Sequence, residues 1–170
     1  MVNVIIEVSK YLMILLVALY TFWSFRYFRF ADERRKNRLF AKQNTVMFLL
    51  HFTAYVILYL KSGDGRVGLF YLAQVVFFAA YLGLYRLFYR NVSRILLNNM
   101  CMLLTVGFII LTRLSLEKAV RQFVIVALAA LATFIIPFIM DRVWQLSKIP
   151  WVYGGLGLML LVVVLSLKTI

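Results

Sequence analysis

Val67-Gly-Leu-Phe-Tyr-Leu-Ala-Gln-Val-Val-Phe-Phe-Ala-Ala-Tyr-Leu-Gly-Leu-Tyr85 is an uncharged run of nineteen residues, with Arg66 before it and Arg86 directly after. Wound as an α-helix at 1.5 Å per residue, such a run is about 28 Å long, close to the ~30 Å hydrocarbon core of a bilayer. Its apolar residues are continuous. That favours a spanning helix over the alternating segments of about ten residues from which membrane barrels are built.

Outward from this run the same pattern recurs, with segments at Tyr11–Phe25, Thr45–Leu60, Ile95–Thr112, Ala119–Met140 and Ile149–Leu167. Basic residues are bunched in the gaps between them. At 65% hydrophobic residues and a mean hydropathy of +0.93, the chain carries more apolar surface than a soluble fold of 170 residues can hide. The expected fold class is therefore all-α, a polytopic membrane helical bundle of about six transmembrane helices joined by short links. Pro137 falls late in the fifth run, where it can kink a helix, and Pro150 suits the first turn of the sixth. The start of the chain shows no small-residue cleavage site, so the first run is expected to stay as a helix. The single cysteine, Cys101, lies inside an apolar run and can build neither a disulfide nor a cysteine metal site. No metal site and no cofactor is expected.

Lys and Arg resist translocation, so the most basic link sets the orientation. It lies between the first two runs, with Arg26, Arg29, Arg34, Arg35, Lys36, Arg38 and Lys42. With that link inside, the N-terminus and the C-terminus are both outside. The link bearing Arg86, Arg90 and Arg94 and the one bearing Arg142 and Lys148 are then inside as well.

Few residues offer chemistry. Phe28, Phe30 and Phe40 interleave with the arginines of the first link, but a cytoplasmic flank with interfacial aromatics accounts for that pattern without nucleic acid. Arg86, Arg90 and Arg94 stand four apart, so a helix continuing past the third run would show them on one side, either to hold an acidic lipid headgroup or simply to snorkel at the membrane surface. His51 lies within the second run. With no Asp or Glu inside the six runs to share its proton, it is expected to be neutral and hydrogen-bonded between helices, and the same lack disfavours an ion-coupled transporter. Asn98, Asn99 and Gln74 are expected to bond between helices. Ala79 with Gly83, Ala129 with Thr133, and Gly154, Gly155 and Gly157 are expected to allow close helix contact. Arg113, Glu117, Lys118, Arg121 and Gln122 form the most polar outer turn, either a headgroup contact or an interfacial turn with weak ion pairs.

The stretch Asn98-Asn-Met-Cys-Met-Leu-Leu-Thr-Val-Gly107-Phe-Ile-Ile-Leu-Thr-Arg113-Leu, followed by Lys118-Ala-Val-Arg121-Gln122-Phe-Val-Ile, resembles the opening of the FtsW/RodA/SpoVE family of cell cycle proteins. Members begin with an apolar helix carrying a Gly, then a brief outer loop, then a basic residue and Gln opening the next helix. The resemblance covers residues 95–170, and Gly107, Arg113, Arg121 and Gln122 carry most of it. It implies that 1–94 is an N-terminal three-helix membrane extension and 95–170 the first three helices of the family's membrane domain. It also implies a peptidoglycan glycosyltransferase acting in bacterial cell division or cell shape, in the bacterial cytoplasmic membrane, on a lipid-linked peptidoglycan precursor and beside a class B penicillin-binding protein. Arg113, Arg121 and Gln122 would then be substrate-binding candidates. The family's catalytic aspartate lies in a large outer loop in its second half, and no residue of this chain corresponds to it.

The chain is accordingly expected to be the N-terminal part of such an enzyme, inactive alone. The alternatives are a small membrane scaffold of the cell-envelope machinery resembling MreD, a lipid-binding membrane module and, further off, a small transporter. The orientation is checked by single cysteines at Lys36 and Asp64 in a Cys101→Ser background. A membrane-impermeant maleimide applied to intact cells should label the cysteine at Asp64 and spare that at Lys36; the reverse would invert the topology.

Overall fold

The computed structural model describes residues 2–30, 32–89, 93–142, 154–155 and 157–159. The described residues form five helices, α1 (Val2–Tyr27), α2 (Glu33–Ser62), α3 (Gly65–Phe88), α4 (Arg94–Leu114) and α5 (Leu116–Arg142), and no strand. All five are long and apolar enough to cross a membrane. Each contains one of the first five expected runs. The sixth run, and with it the C-terminus, lies outside the described residues except for the helical 154–155 and 157–159.

The helices outrun the apolar segments because local chemistry carries them further. The Asp32 side chain caps α2 by accepting from the Arg34 amide at 3.0 Å. From there Arg, Lys and Gln, all good helix formers, continue the helix up to the apolar run. Most of the basic first link is therefore the opening of α2 rather than a loop. At the other end Gly63 takes the left-handed conformation (φ 64°), which a side chain would resist, and its amide closes on the Tyr59 carbonyl at 2.9 Å. Asp64 follows at once as the cap of α3, accepting from the Arg66 amide at 2.9 Å. A single residue, Ser115, separates α4 from α5.

The chain divides into two compact units, 1–127 and 128–170. In the first, α2 is the central helix and packs against α1, α3 and α4. Leu16 and Tyr20 of α1, Met47 and Leu50 of α2, Phe78 of α3 and Cys101, Met102 and Phe108 of α4 share one core. The start of α5 closes it: Ala119 is fully buried, and the Phe123 ring meets Phe70, Phe77 and Phe108 edge-on at 5.4–5.7 Å. In the second unit α5 continues through Pro137, with Leu128, Leu131 and Ile135 exposed.

The interior is polar where the exterior is apolar. Gln43, His51, Gln74, Asn98 and Thr105 are buried, while Leu69, Leu72 and Val76 lie exposed along α3. In water that arrangement would be untenable; in a bilayer it leaves hydrocarbon against hydrocarbon and pairs polar groups within the protein. His51 Nε2 lies 2.8 Å from Gln74 Oε1, Gln74 Nε2 donates to Tyr55 Oη at 2.7 Å, and Tyr55 Oη is 2.8 Å from Thr112 Oγ1. This line joins α2, α3 and α4. A second joins α1, α2 and α4: Asn98 Nδ2 donates to Gln43 Oε1 at 3.2 Å, and Gln43 Nε2 donates to Ser24 Oγ at 3.0 Å. Tyr20 Oη also donates to Asn99 Oδ1 at 3.0 Å.

His51, Gln74, Asn98 and Asn99 therefore hold helices together as expected. The small pair on α3 does not: Ala79 and Gly83 are exposed, and a methyl group added at Gly83 would touch nothing within 4 Å. For Ala129 with Thr133 and for Gly154, Gly155 and Gly157, most of the sixth run lies outside the described residues. Spacing alone does not say which face turns inward, and the inward face of α3 belongs instead to Phe70, Gln74 and Phe78. Replacing Gln74 by Leu strands the buried His51 ring and leaves the Tyr55 hydroxyl with Thr112 as its remaining partner. Reversible unfolding in mixed micelles should show a loss of about 1–3 kcal/mol, against less than about 0.5 kcal/mol for the exposed Leu72→Ala.

Candidate functional site

One end of the first unit gathers the start of α2, the end of α3 and the start of α4. Between them lies a cleft of about 130 Å³ lined by Asn37, Phe40, Ala41 and Asn44 of α2, by Leu82, Tyr85, Arg86 and Tyr89 from α3 and its C-cap, and by Arg94, Leu97 and Asn98 of α4. Each contribution follows from helical spacing. Asn37, Ala41 and Asn44 recur at four and three residues, and Tyr85 and Arg86 stand three and four residues after Leu82, so each helix turns one face to the cleft. Asn98 bridges the bottom of the cleft to the buried Gln43.

Two guanidinium groups line this cleft, and among the described lining residues no carboxylate does. Arg94 donates through Nη1 to Asn37 Oδ1 and so ties the openings of α2 and α4 together. Arg86 is exposed on the last turn of α3, beside the ring ladder of Tyr81, Tyr85 and Tyr89, whose centroids are 4.7 and 5.5 Å apart. Asn44 Oδ1 is buried and has no hydrogen-bond partner. The cleft thus combines a cationic rim, amide groups in its wall and apolar lining from Phe40, Leu82 and Leu97.

Arg86 and Arg94 were expected on one side of a continuous helix, and they meet by another route. The third helix ends at Phe88 and Arg94 opens the fourth, so the two lie on successive helices and both line one cleft. Arg90 lies outside the described residues. Arg113, Arg121 and Gln122 are exposed near the opposite ends of α4 and α5, and none lines a described hollow; the shallow one at that end is formed by Arg66, Phe70, Leu116, Glu117 and Val120. The weak ion pairs expected at that turn do not form among the described residues: none of Arg113, Glu117, Lys118 and Arg121 pairs with another charge. Around the first link, Arg26 and Arg35 sit over the Phe30 ring at 5.5 and 5.6 Å, and Lys42 over Trp23 at 5.7 Å. Its aromatics serve as platforms for cations of the same chain.

Asn37 and Asn44 are the site residues that sequence reasoning missed. Their seven-residue spacing, two helical turns, would reveal them once α2 is known to start at Glu33. No group of His, Cys, Asp or Glu among the described residues can hold a metal ion.

No family model, no curated protein and no solved structure matches this chain. The site is therefore read from its own geometry. Arg94→Gln removes the clasp between α2 and α4, and hydrogen exchange followed by mass spectrometry should register faster exchange in the first two turns of α4, with amides around Phe108 unchanged. Equal exchange in the variant and the parent would show that the clasp does not order this end.

Proposed function

We propose that this chain is the N-terminal membrane portion of a FtsW/RodA-like peptidoglycan glycosyltransferase acting in bacterial cell division or cell-shape maintenance, without the catalytic half of that enzyme. One observation supports this reading. The residues that carry the resemblance, 98–122, fall on two long apolar helices joined at Ser115 alone, with Gly107 inside the first and Arg121 and Gln122 early in the second. A helix, a very short turn and a second helix opened by a basic residue and Gln is the order expected of the family's opening.

In this reading α1, α2 and α3 are an extension laid against the first common helix, since α2 and α3 both pack on α4. The basic end faces the cytoplasm of a bacterial cell, and the Ser115 turn faces outward, where lipid-linked disaccharide is polymerised. Arg113, Arg121 and Gln122 are exposed at that outward end. They would meet an anionic precursor only together with residues beyond those of this chain. The partner that the reading names is a class B penicillin-binding protein.

The reading is tested in the source genome and by co-purification. The reading frame beyond the codon for Ile170 should encode further spans and a large outer loop with an acidic residue, and the continuous product should retain a class B penicillin-binding protein in detergent. The 170-residue chain alone should yield no glycan polymer from lipid-linked disaccharide. A stop codon after Ile170 with no matching partner frame nearby would overturn the assignment.

A further inference from the structure

We propose that the cleft between the start of α2, the end of α3 and the start of α4 binds the headgroup of an anionic phospholipid that carries a free hydroxyl, a phosphoglycerol headgroup being the simplest case. The inference rests on the cleft itself and stands whether or not the glycosyltransferase reading holds.

Arg86 and Arg94 line this space and no other described lining residue is charged, so the cleft favours an anion, and guanidinium groups match the geometry of a phosphate oxygen pair. A bare phosphate, however, leaves the wall unsatisfied. Asn44 Oδ1 is a buried acceptor with no protein partner, and a fully ionised phosphodiester offers no hydrogen to it. A hydroxyl does. The matching ligand therefore presents an anion to the rim and a donor to the wall, within a space of about 130 Å³.

Position selects a lipid over a soluble ester. Asn37 to Asn44 spans seven residues of α2, about 10 Å along its axis, so the cleft runs from the charged opening of the helix to the edge of its apolar run at Thr45. That is headgroup depth. Beside it Leu84, Leu87 and Leu96 are exposed on α3 and α4, an apolar surface against which acyl chains can lie while the headgroup turns inward. A choline headgroup brings the same phosphate, but it adds a cation beside the two arginines and carries no hydroxyl for the wall.

Native mass spectrometry of the 170-residue chain released from nanodiscs of mixed phosphatidylglycerol and phosphatidylcholine tests the proposal. Phosphatidylglycerol should be retained over phosphatidylcholine by about tenfold or more, the weight of a buried acceptor that phosphatidylcholine leaves unsatisfied and of the choline cation set beside the arginines. Arg86→Gln, an exposed substitution that leaves the packing intact, should lower that preference by about tenfold. Asn44→Leu should abolish discrimination between phosphatidylglycerol and its methyl-capped analogue, while Arg121→Gln at the far end should change nothing. Equal retention of the two lipids, or an Arg86→Gln variant as selective as the parent, would overturn the proposal. Displacement of the bound lipid by millimolar glycerol 3-phosphate would overturn the lipid source and leave a soluble phosphate ester as the ligand.

Discussion

The hydrogen-bonded line His51–Gln74–Tyr55–Thr112 is the interaction on which the bundle depends. Lipid tails are as apolar as leucine, so helices in a bilayer gain little from merely hiding hydrocarbon; packing detail and interhelical hydrogen bonds decide which faces meet. Gln43, His51 and Tyr55 lie on one side of α2 at spacings of eight and four and reach three different helices between them. The direction of the line follows from the donors. Gln74 donates its amide hydrogen to Tyr55, so its oxygen must accept from His51 Nε2, while between Tyr55 and Thr112 either hydroxyl can donate. His51 is thereby held as the tautomer that carries hydrogen on Nε2. Its Nδ1 is buried with no hydrogen-bond partner.

That line also explains where the cleft comes from. The interior polar residues fix α2 against α3 and α4 deep in the bundle, around Phe78 and Phe108, whose rings are 6.2 Å apart. Toward the charged end the helices stop at different places: α2 begins at Glu33, well before its apolar run, whereas α3 ends at Phe88. The extra turns of α2 thus have a neighbour only in part. Arg94 reaching to Asn37 holds the rim, Asn98 bonded to Gln43 holds the bottom, and the space between them is bounded by amides and rings. Stability deep in the bundle and a concave polar surface at its end are two results of one arrangement.

How much of this can be read from sequence depends on what kind of residue carries the information. Val67–Tyr85 and the other apolar runs locate α1 to α5 because bilayer thickness is a hard length and charge is expensive inside it. The ends of the helices are written in different terms. Asp32, Gly63 and Asp64 set them through capping and backbone conformation, which hydropathy does not register, so α2 runs twelve residues ahead of Thr45. Asn37 and Asn44 were hidden for that reason alone. His51, Gln74 and Asn98 are legible because a polar group inside a span must find a partner, whereas Ala79 and Gly83 mislead, since a small residue permits contact without requiring it.

Charge makes the last connection between the bundle and its surroundings. Nineteen Lys and Arg face six Asp and Glu, so the chain cannot neutralise itself through its own carboxylates. The observed pairs Lys10–Glu7 at 2.6 Å and Arg35–Asp32 at 3.7 Å are both exposed neighbours on one helical turn and add little to stability. Ring faces take up Arg26, Arg35 and Lys42 without cancelling their charge. The end of the bundle bearing these groups therefore keeps a positive field, and that field is most useful beside an acidic lipid surface, where each cation near the headgroups is worth about 1 kcal/mol. In that setting most of those cations would meet the surface as a diffuse layer. Arg86 and Arg94 differ in being set around a cleft, so the same attraction acquires a shape.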